Sequence, residues 1–192
     1  MPLTKKQHDL YQEVLRIAHL TGLDHTSIEQ RDPAGRTVAL QIFIHKMVVA
    51  EIIVGYAFID EALANIIAVY FFRRPGTGTE FIKLWRTKKF GVFCQRILDE
   101  IYLLKKMELV HAIKPLPKEV RSTIYRLNDI RNAFAHSLFP KNRKEHKKTK
   151  RGNSKVLYKD KDIRTYEGLK LFVDDTSAAY TYLVRRFKRQ YQ

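Results

Sequence analysis

The sequence predicts an all-α fold, an antiparallel helical bundle with a small β-hairpin inserted before the last helix. Three observations carry this expectation. Apolar residues recur at helical spacing over most of the 192 residues. Hydrophobic residues make up 45% and charged residues 29%, a balance that suits a packed core in one ordinary domain. Near Lys155–Thr165 the pattern changes to β-branched and aromatic residues, which suits a hairpin.

Taken in order, Leu3–Leu20 places Leu10, Val14, Ile17 and Leu20 on one face and reads as an amphipathic helix. Thr21–Arg36, with Gly22, Asp32, Pro33 and Gly35, reads as a loop. Val38–Phe72 is a long apolar helix with a candidate break at Gly55. Arg73–Thr79 (RRPGTGT) ends it as a turn, and Glu80–Trp85 suits one short helical turn. Val92–Val110 is a further helix, carrying Phe93, Ile97, Ile101, Leu104 and Leu109. The prolines of Lys114–Lys118 (KPLPK) separate it from the helix Lys118–Leu138. Lys141–Arg151 (KNRKEHKKTKR) has no apolar residue and reads as a solvated loop. Tyr166–Arg189 closes the chain as a helix with Leu169, Phe172, Val173, Tyr180, Leu183, Val184 and Phe187 as its apolar stripe. The expected organisation is one domain over 1–192. It comprises an N-terminal helix and loop (1–36), core helices (37–140), a basic loop and hairpin (141–165) and a C-terminal helix (166–192).

Composition narrows the function classes. Lys46, Glu51, Asp60 and Glu61 interrupt the apolar runs between Val38 and Phe72, so the sequence reading expects no membrane span. Cys94 is the only cysteine, which rules out an intrachain disulfide and suits a reduced, cytoplasmic setting. Its surroundings, FGVFCQRIL, read as core rather than as a nucleophile's pocket. Thirty-six Lys and Arg stand against 20 Asp and Glu, a formal net charge of +16. Such a surface attracts polyanions, either nucleic acid or an anionic membrane. His8, His19, His25, His45, His111 and His146 are scattered singly, with no spacing that suits a metal or other cofactor.

The helix Lys118–Leu138 poses the sharpest question. At about 100° per residue, Val120, Ile124, Leu127, Phe134 and Leu138 fall within an arc of about 80°. The missing member of that seam is Arg131. A guanidinium there must be paired or face a wet cleft, because burying it alone is very costly. Asn132 and His136 are four apart, project together, and continue a row begun by Asn128. An amide at that spacing can fix the imidazole's orientation. On the long second helix, Lys46, Asp60, Glu61 and Asn65 form a polar stripe, and Asp60 or Glu61 is the expected partner of Arg131. A purely structural account would make Arg131 an ion-pair anchor and His136 a half-buried helix-end histidine.

The segment Arg131-Asn132-Ala133-Phe134-Ala135-His136 resembles the Arg-polar-x3-His signature of the HEPN superfamily. The preceding IDEALANIIAVYF helix and the following VLYKDKDIRTYEGLKLFVDD segment are similar to elements of HEPN domains. The resemblance spans roughly Thr37–Arg189 in element order. It implies a helical bundle, a homodimer with the two motif helices at a shared cleft, and metal-independent cleavage of RNA. Several members are toxins or antiviral effectors with an antitoxin or regulatory protein as partner; others only bind. One group carries Tyr two residues after the His; Leu138 stands there in this chain, so the resemblance does not extend to regulation through that Tyr.

The residue types suit that chemistry. RNA supplies its own nucleophile, the 2′-hydroxyl. One His136 would take its proton, and the partner subunit's His136 would protonate the leaving 5′-oxygen. Arg131 would stabilise the phosphate and Asn132 would hold the imidazole or a phosphate oxygen. Lys141, Arg143, Lys144, Lys147, Lys148, Lys150 and Arg151 would gather RNA backbone beside the site. Two other readings stand beside this one. One is a non-catalytic binding or regulatory module of the same fold. The other is a membrane-surface protein using the basic tail Arg185–Arg189, which no lipidation motif supports.

Overall fold

The computed structural model describes residues 5, 12, 15–17, 19–20, 24, 26, 29–72, 86–135, 146–148 and 154–191. In chain order these contain α1 (Pro33–Phe72), α2 (Lys88–Phe93), a π-helical turn (Cys94–Leu98), α3 (Leu103–Ile113) and α4 (Lys118–Ala135). Strands β1 (His146–Lys148), β2 (Ser154–Tyr158) and β3 (Lys161–Asp162) and helix α5 (Tyr166–Tyr191) follow. The protein is mostly helical, with a small β insert before its last helix, as the apolar spacing predicts. The chain divides into two compact units, Met1–Val49 and Ala50–Gln192.

In the first unit, residues 15–17 and 19–20 are helical, and Leu15, Ile17 and Leu20 are exposed. Leu10 and Val14 lie outside the described residues. Helix α1 starts at Pro33, earlier than the expected Val38, so the end of the expected loop is helix. Asp32 explains the early start. Its carboxylate accepts from the Gly35 amide (3.0 Å), and its carbonyl accepts from the Arg36 amide (2.9 Å). A proline at the first helical position loses no bond, because that N–H has no partner in any helix.

Helix α1 passes Gly55 without the expected break. Gly55 serves close packing instead: a Cβ there would meet Thr176 Cγ2 of α5 at 3.0 Å. By length and composition α1 is long and apolar enough to cross a membrane, and most of its apolar window is exposed. The charged residues are too sparse to lower its hydropathy below that of a span, so they do not by themselves exclude one.

The second unit holds the main core. Ile59, Leu63 and Ile66 of α1, Leu103, Met107 and Val110 of α3, Ile124, Leu127 and Ile130 of α4, and Phe172 and Leu183 of α5 are all buried. The single helix expected over Val92–Val110 is interrupted. The Asp99 amide donates to the Cys94 carbonyl (2.9 Å), the i to i−5 pattern of a π turn, and α3 starts afresh at Leu103. Cys94 is half-buried, and burial, followed by the charge of Asp99, pushes its thiol up. It therefore stays protonated at neutral pH, which suits the core reading. The KPLPK boundary separates α3 from α4 as expected, and His111 Nδ1 accepts from the Leu116 amide (2.8 Å) within it.

The β insert is larger than a hairpin. β2 pairs antiparallel with β3, and β1 pairs antiparallel with β2 through His146 opposite Val156 and Lys148 opposite Ser154. Part of the basic run expected as loop is thus an edge strand, where lysines are well tolerated. Its own His and Lys residues carry no strand signal, so pairing with β2 is what makes it a strand. The β2–β3 turn has Lys159 and Asp160 at positive φ (48° and 65°), the two-residue arrangement that matches strand twist.

Asp162 and Thr165 join the strands to α5. The Thr165 hydroxyl accepts from the Gly168 amide (3.2 Å) and donates to the Asp162 carbonyl (2.7 Å). A Cβ on Gly168 would fall on that carbonyl group, 2.5 Å from its carbon. The obstacle is backbone, which cannot swing aside. Gly168→Ala is therefore expected to cost about 2–3 kcal/mol, measured by urea denaturation. An unchanged midpoint would show that the strand-to-helix corner is not fixed as described.

Tyr158 anchors the insert on α5. It is buried, its ring meets Phe172 edge-on at 5.5 Å, and its hydroxyl donates to Asp175 Oδ2 at 2.7 Å. Burial first, then the hydrogen bond and charge of Asp175, push its pKa well above the usual phenol range. The folded state thus keeps a proton that the unfolded chain loses near pH 10. This stabilising contribution is complete below the ordinary phenol value and is lost as pH rises from there towards the folded value. Tyr158→Phe is expected to lower stability by about 1–2 kcal/mol at pH 7, and to flatten the fall in stability above about pH 10. Parallel alkaline profiles for the two proteins would refute the assignment.

Candidate functional site

Helix α4 brings Asn128, Arg131 and Asn132 to its C-terminal half because its other side is committed to the core. Val120, Ile124, Leu127 and Ile130 are buried, and Phe134 is half-buried. Ile130, which the sequence reading passed over, carries the buried face on from Leu127.

Arg131 is exposed rather than buried. Its guanidinium carbon lies 5.1 Å from the ring centroid of Tyr56 on α1. Its Nη1 donates to Asn132 Oδ1 at 3.1 Å. So the periodicity places it on the side facing α1, but its long side chain carries the charge to solvent. Stacking on tyrosine holds a cation without neutralising it. Among the described residues no carboxylate pairs with Arg131.

The expected partner is engaged elsewhere. Asp60 Oδ2 accepts from Lys106 Nζ of α3 at 2.6 Å. Lys106 is 4% exposed, so its ammonium has a greater need of the carboxylate than a solvated arginine does. Glu61 is exposed, and Asn65 and Asn128 are half-buried. The expectation that Asp60 or Glu61 neutralises Arg131 is therefore corrected: Asp60 supports α3, and neither pairs with the arginine.

Asn132 Oδ1 is occupied by Arg131, which leaves its amide N–H groups as the means of reaching an imidazole or a phosphate. His136, the remaining member of the motif, lies outside the described residues, as do Lys141, Arg143, Lys144, Lys150 and Arg151. Lys147 and Lys148 lie on β1, paired in register with Lys155 and Ser154. Residues 146–148 of the basic run are thereby tethered to the insert that precedes α5.

Two residues near the motif were not anticipated. Tyr56 stands one turn before Asp60 on the same face of α1, and that spacing is the signal that could have found it. Arg164, just after β3, lies 5.9 Å from the Phe134 ring. Its Nε and Nη2 are buried without a hydrogen-bond partner. No local sequence signal marks it, since only the folding of the insert against α4 brings it there. Arg131 with Asn132, and Arg164 against Phe134, thus lie along the C-terminal half of α4. Among the described residues no group of three His, Cys, Asp or Glu side chains is placed to hold a metal. Comparison with family models, with curated proteins and with solved structures found no match to this chain.

Proposed function

We propose that this protein is a metal-independent endoribonuclease of HEPN type, acting as a cytoplasmic homodimer. The observation that carries the proposal is the state of Arg131: exposed, oriented by Tyr56 and Asn132, and not consumed by an ion pair. An arginine held this way is available to a phosphate, whereas an arginine serving as a core anchor would not be.

In the proposed reaction the RNA 2′-oxygen bonds to the adjacent phosphorus and the bond from phosphorus to the 5′-oxygen breaks. One His136 accepts the 2′-hydroxyl proton. His136 of the partner subunit donates a proton to the departing 5′-oxygen. Arg131 offsets the charge that builds on the phosphate, and Asn132 orients Arg131 through its side-chain oxygen. The products carry 2′,3′-cyclic phosphate and 5′-hydroxyl ends. The net charge of +16 favours capture of the RNA, together with the basic run Lys141–Arg151.

The test is incubation of the purified full chain with single-stranded and structured RNA in EDTA, followed by analysis of the product ends. Cleavage that yields cyclic phosphate ends is the expected result. Binding without cleavage would favour the second reading, a non-catalytic nucleic-acid-binding module that uses the same arginine and amides. Cleavage that appears only with added divalent metal would overturn the proposed chemistry.

A further inference from the structure

Periodicity puts an arginine on the apolar seam at position 131, but among the described residues the buried arginine is Arg186. On α5 the buried positions Phe172, Thr176, Ala179, Leu183 and Arg186 follow helical spacing, and the last of them is a guanidinium only 7% exposed. Its Nη2 donates to the Val110 carbonyl at the end of α3 (2.9 Å). Its Nε and Nη1 have no hydrogen-bond partner. Burial pulls its pKa below the ordinary arginine value, while Tyr182 beside it acts in the opposite direction. The group remains a cation, because arginine's ordinary value is so high. A neutral carbonyl satisfies one donor and compensates none of the charge.

Arg186 lines a cavity of about 620 Å³. Lys114, Arg185 and Arg189 line it too, with the hydroxyls of Ser177, Thr181 and Tyr182. Four basic and three hydroxyl-bearing residues thus line one space, and no described carboxylate joins them. Basic residues at the end of a helix are often explained by the helix dipole. That explanation covers exposed Arg185 and Arg189, which reach water freely. It does not cover Arg186, whose charge is withdrawn from water beside the cavity.

We propose that this cavity binds a small soluble phosphorylated molecule of about nucleotide size. The volume lies within the roughly 300–1,000 Å³ of small-molecule sites. A phosphate is the anion that best matches several converging cations and hydroxyl donors. Arg186 supplies charge from a wall of low dielectric, where attraction to an anion is strongest. The exposed Arg185 and Arg189, with Lys114, make the direct contacts, and the Tyr182 side chain offers a ring beside them. The site is separate from the α4 motif, and its ligand does not depend on the ribonuclease reading.

The experiment is isothermal titration of the full chain with AMP, with inorganic pyrophosphate and with sodium sulfate, alongside co-sedimentation with phosphatidylcholine vesicles containing phosphatidic acid. The comparison protein carries Arg185→Gln and Arg189→Gln, both at exposed positions where the fold has no stake. AMP or pyrophosphate is expected to bind one per chain, and the double variant to bind at least about tenfold more weakly. Ligand at about a hundredfold above Kd should raise the thermal midpoint by roughly 5–10 °C. Equal binding by both proteins would overturn the site. Binding of sulfate as tight as pyrophosphate, or binding to vesicles alone, would overturn the ligand assignment, and so would no binding of either phosphate probe at millimolar concentration.

Discussion

His136→Ala is expected to reduce RNA cleavage by about 10²–10⁴-fold, the usual contribution of a positioned general acid or base. Both roles are lost together, because the shared cleft then lacks the group that takes the 2′-proton and the group that protonates the 5′-oxygen. Arg131→Ala is expected to slow cleavage by about 10²–10³-fold, as for removal of one transition-state donor. Its stability is the more discriminating reading. Arg131 is exposed and paired with no described carboxylate, so truncation should shift stability by less than about 1 kcal/mol. A loss of several kcal/mol would instead assign Arg131 to the framework. Equal cleavage by wild type and His136→Ala would remove His136 from the mechanism.

The largest loss of stability is expected from Asp60→Ala. That change leaves Lys106 Nζ buried without its 2.6 Å partner. Removing one member of a buried pair costs more than the pair contributes, because the remaining charge has lost its water and its counter-charge. Asp60 keeps partial exposure, so the low end of the usual range applies, about 3 kcal/mol. For a chain of this size that is a fall of about 6–12 °C in the thermal midpoint. Lys106→Met fills the same space without a charge, and combined with Asp60→Ala it should recover much of the loss. A midpoint for Asp60→Ala within about 2 °C of wild type would show that the ammonium finds water or another acceptor. Because Asp60 supports α3 rather than Arg131, its loss should reduce cleavage only as far as it reduces the folded fraction.

Much of the fold is legible in local sequence, and the misreadings have physical causes. Helix α4 and helix α5 were readable because their apolar residues recur over many turns. The KPLPK boundary was readable because proline imposes its own geometry. The start of α1 was misplaced because Asp32 and Pro33 look like loop residues until seen as cap and first turn. The break at Cys94–Leu98 was missed because a π turn keeps the apolar content of a helix and changes only which carbonyl each amide reaches. Strand β1 is not legible because His146–Lys148 has none of the β-branched or aromatic residues by which a strand is read.

The candidate site divides in the same way. The sequence by itself determined that the chain is mostly helical, strongly basic and marked by Arg131, Asn132 and His136 at helical spacing, because these follow from composition and from 3.6 residues per turn. Only the tertiary structure decided which charge is withdrawn from water. Helical spacing reports the direction in which a side chain leaves its helix, but burial depends on what the neighbouring helices place there. Tyr56 leaves Arg131 open to solvent, Lys106 takes the carboxylate expected for it, and the ends of α3 and α5 enclose Arg186 instead.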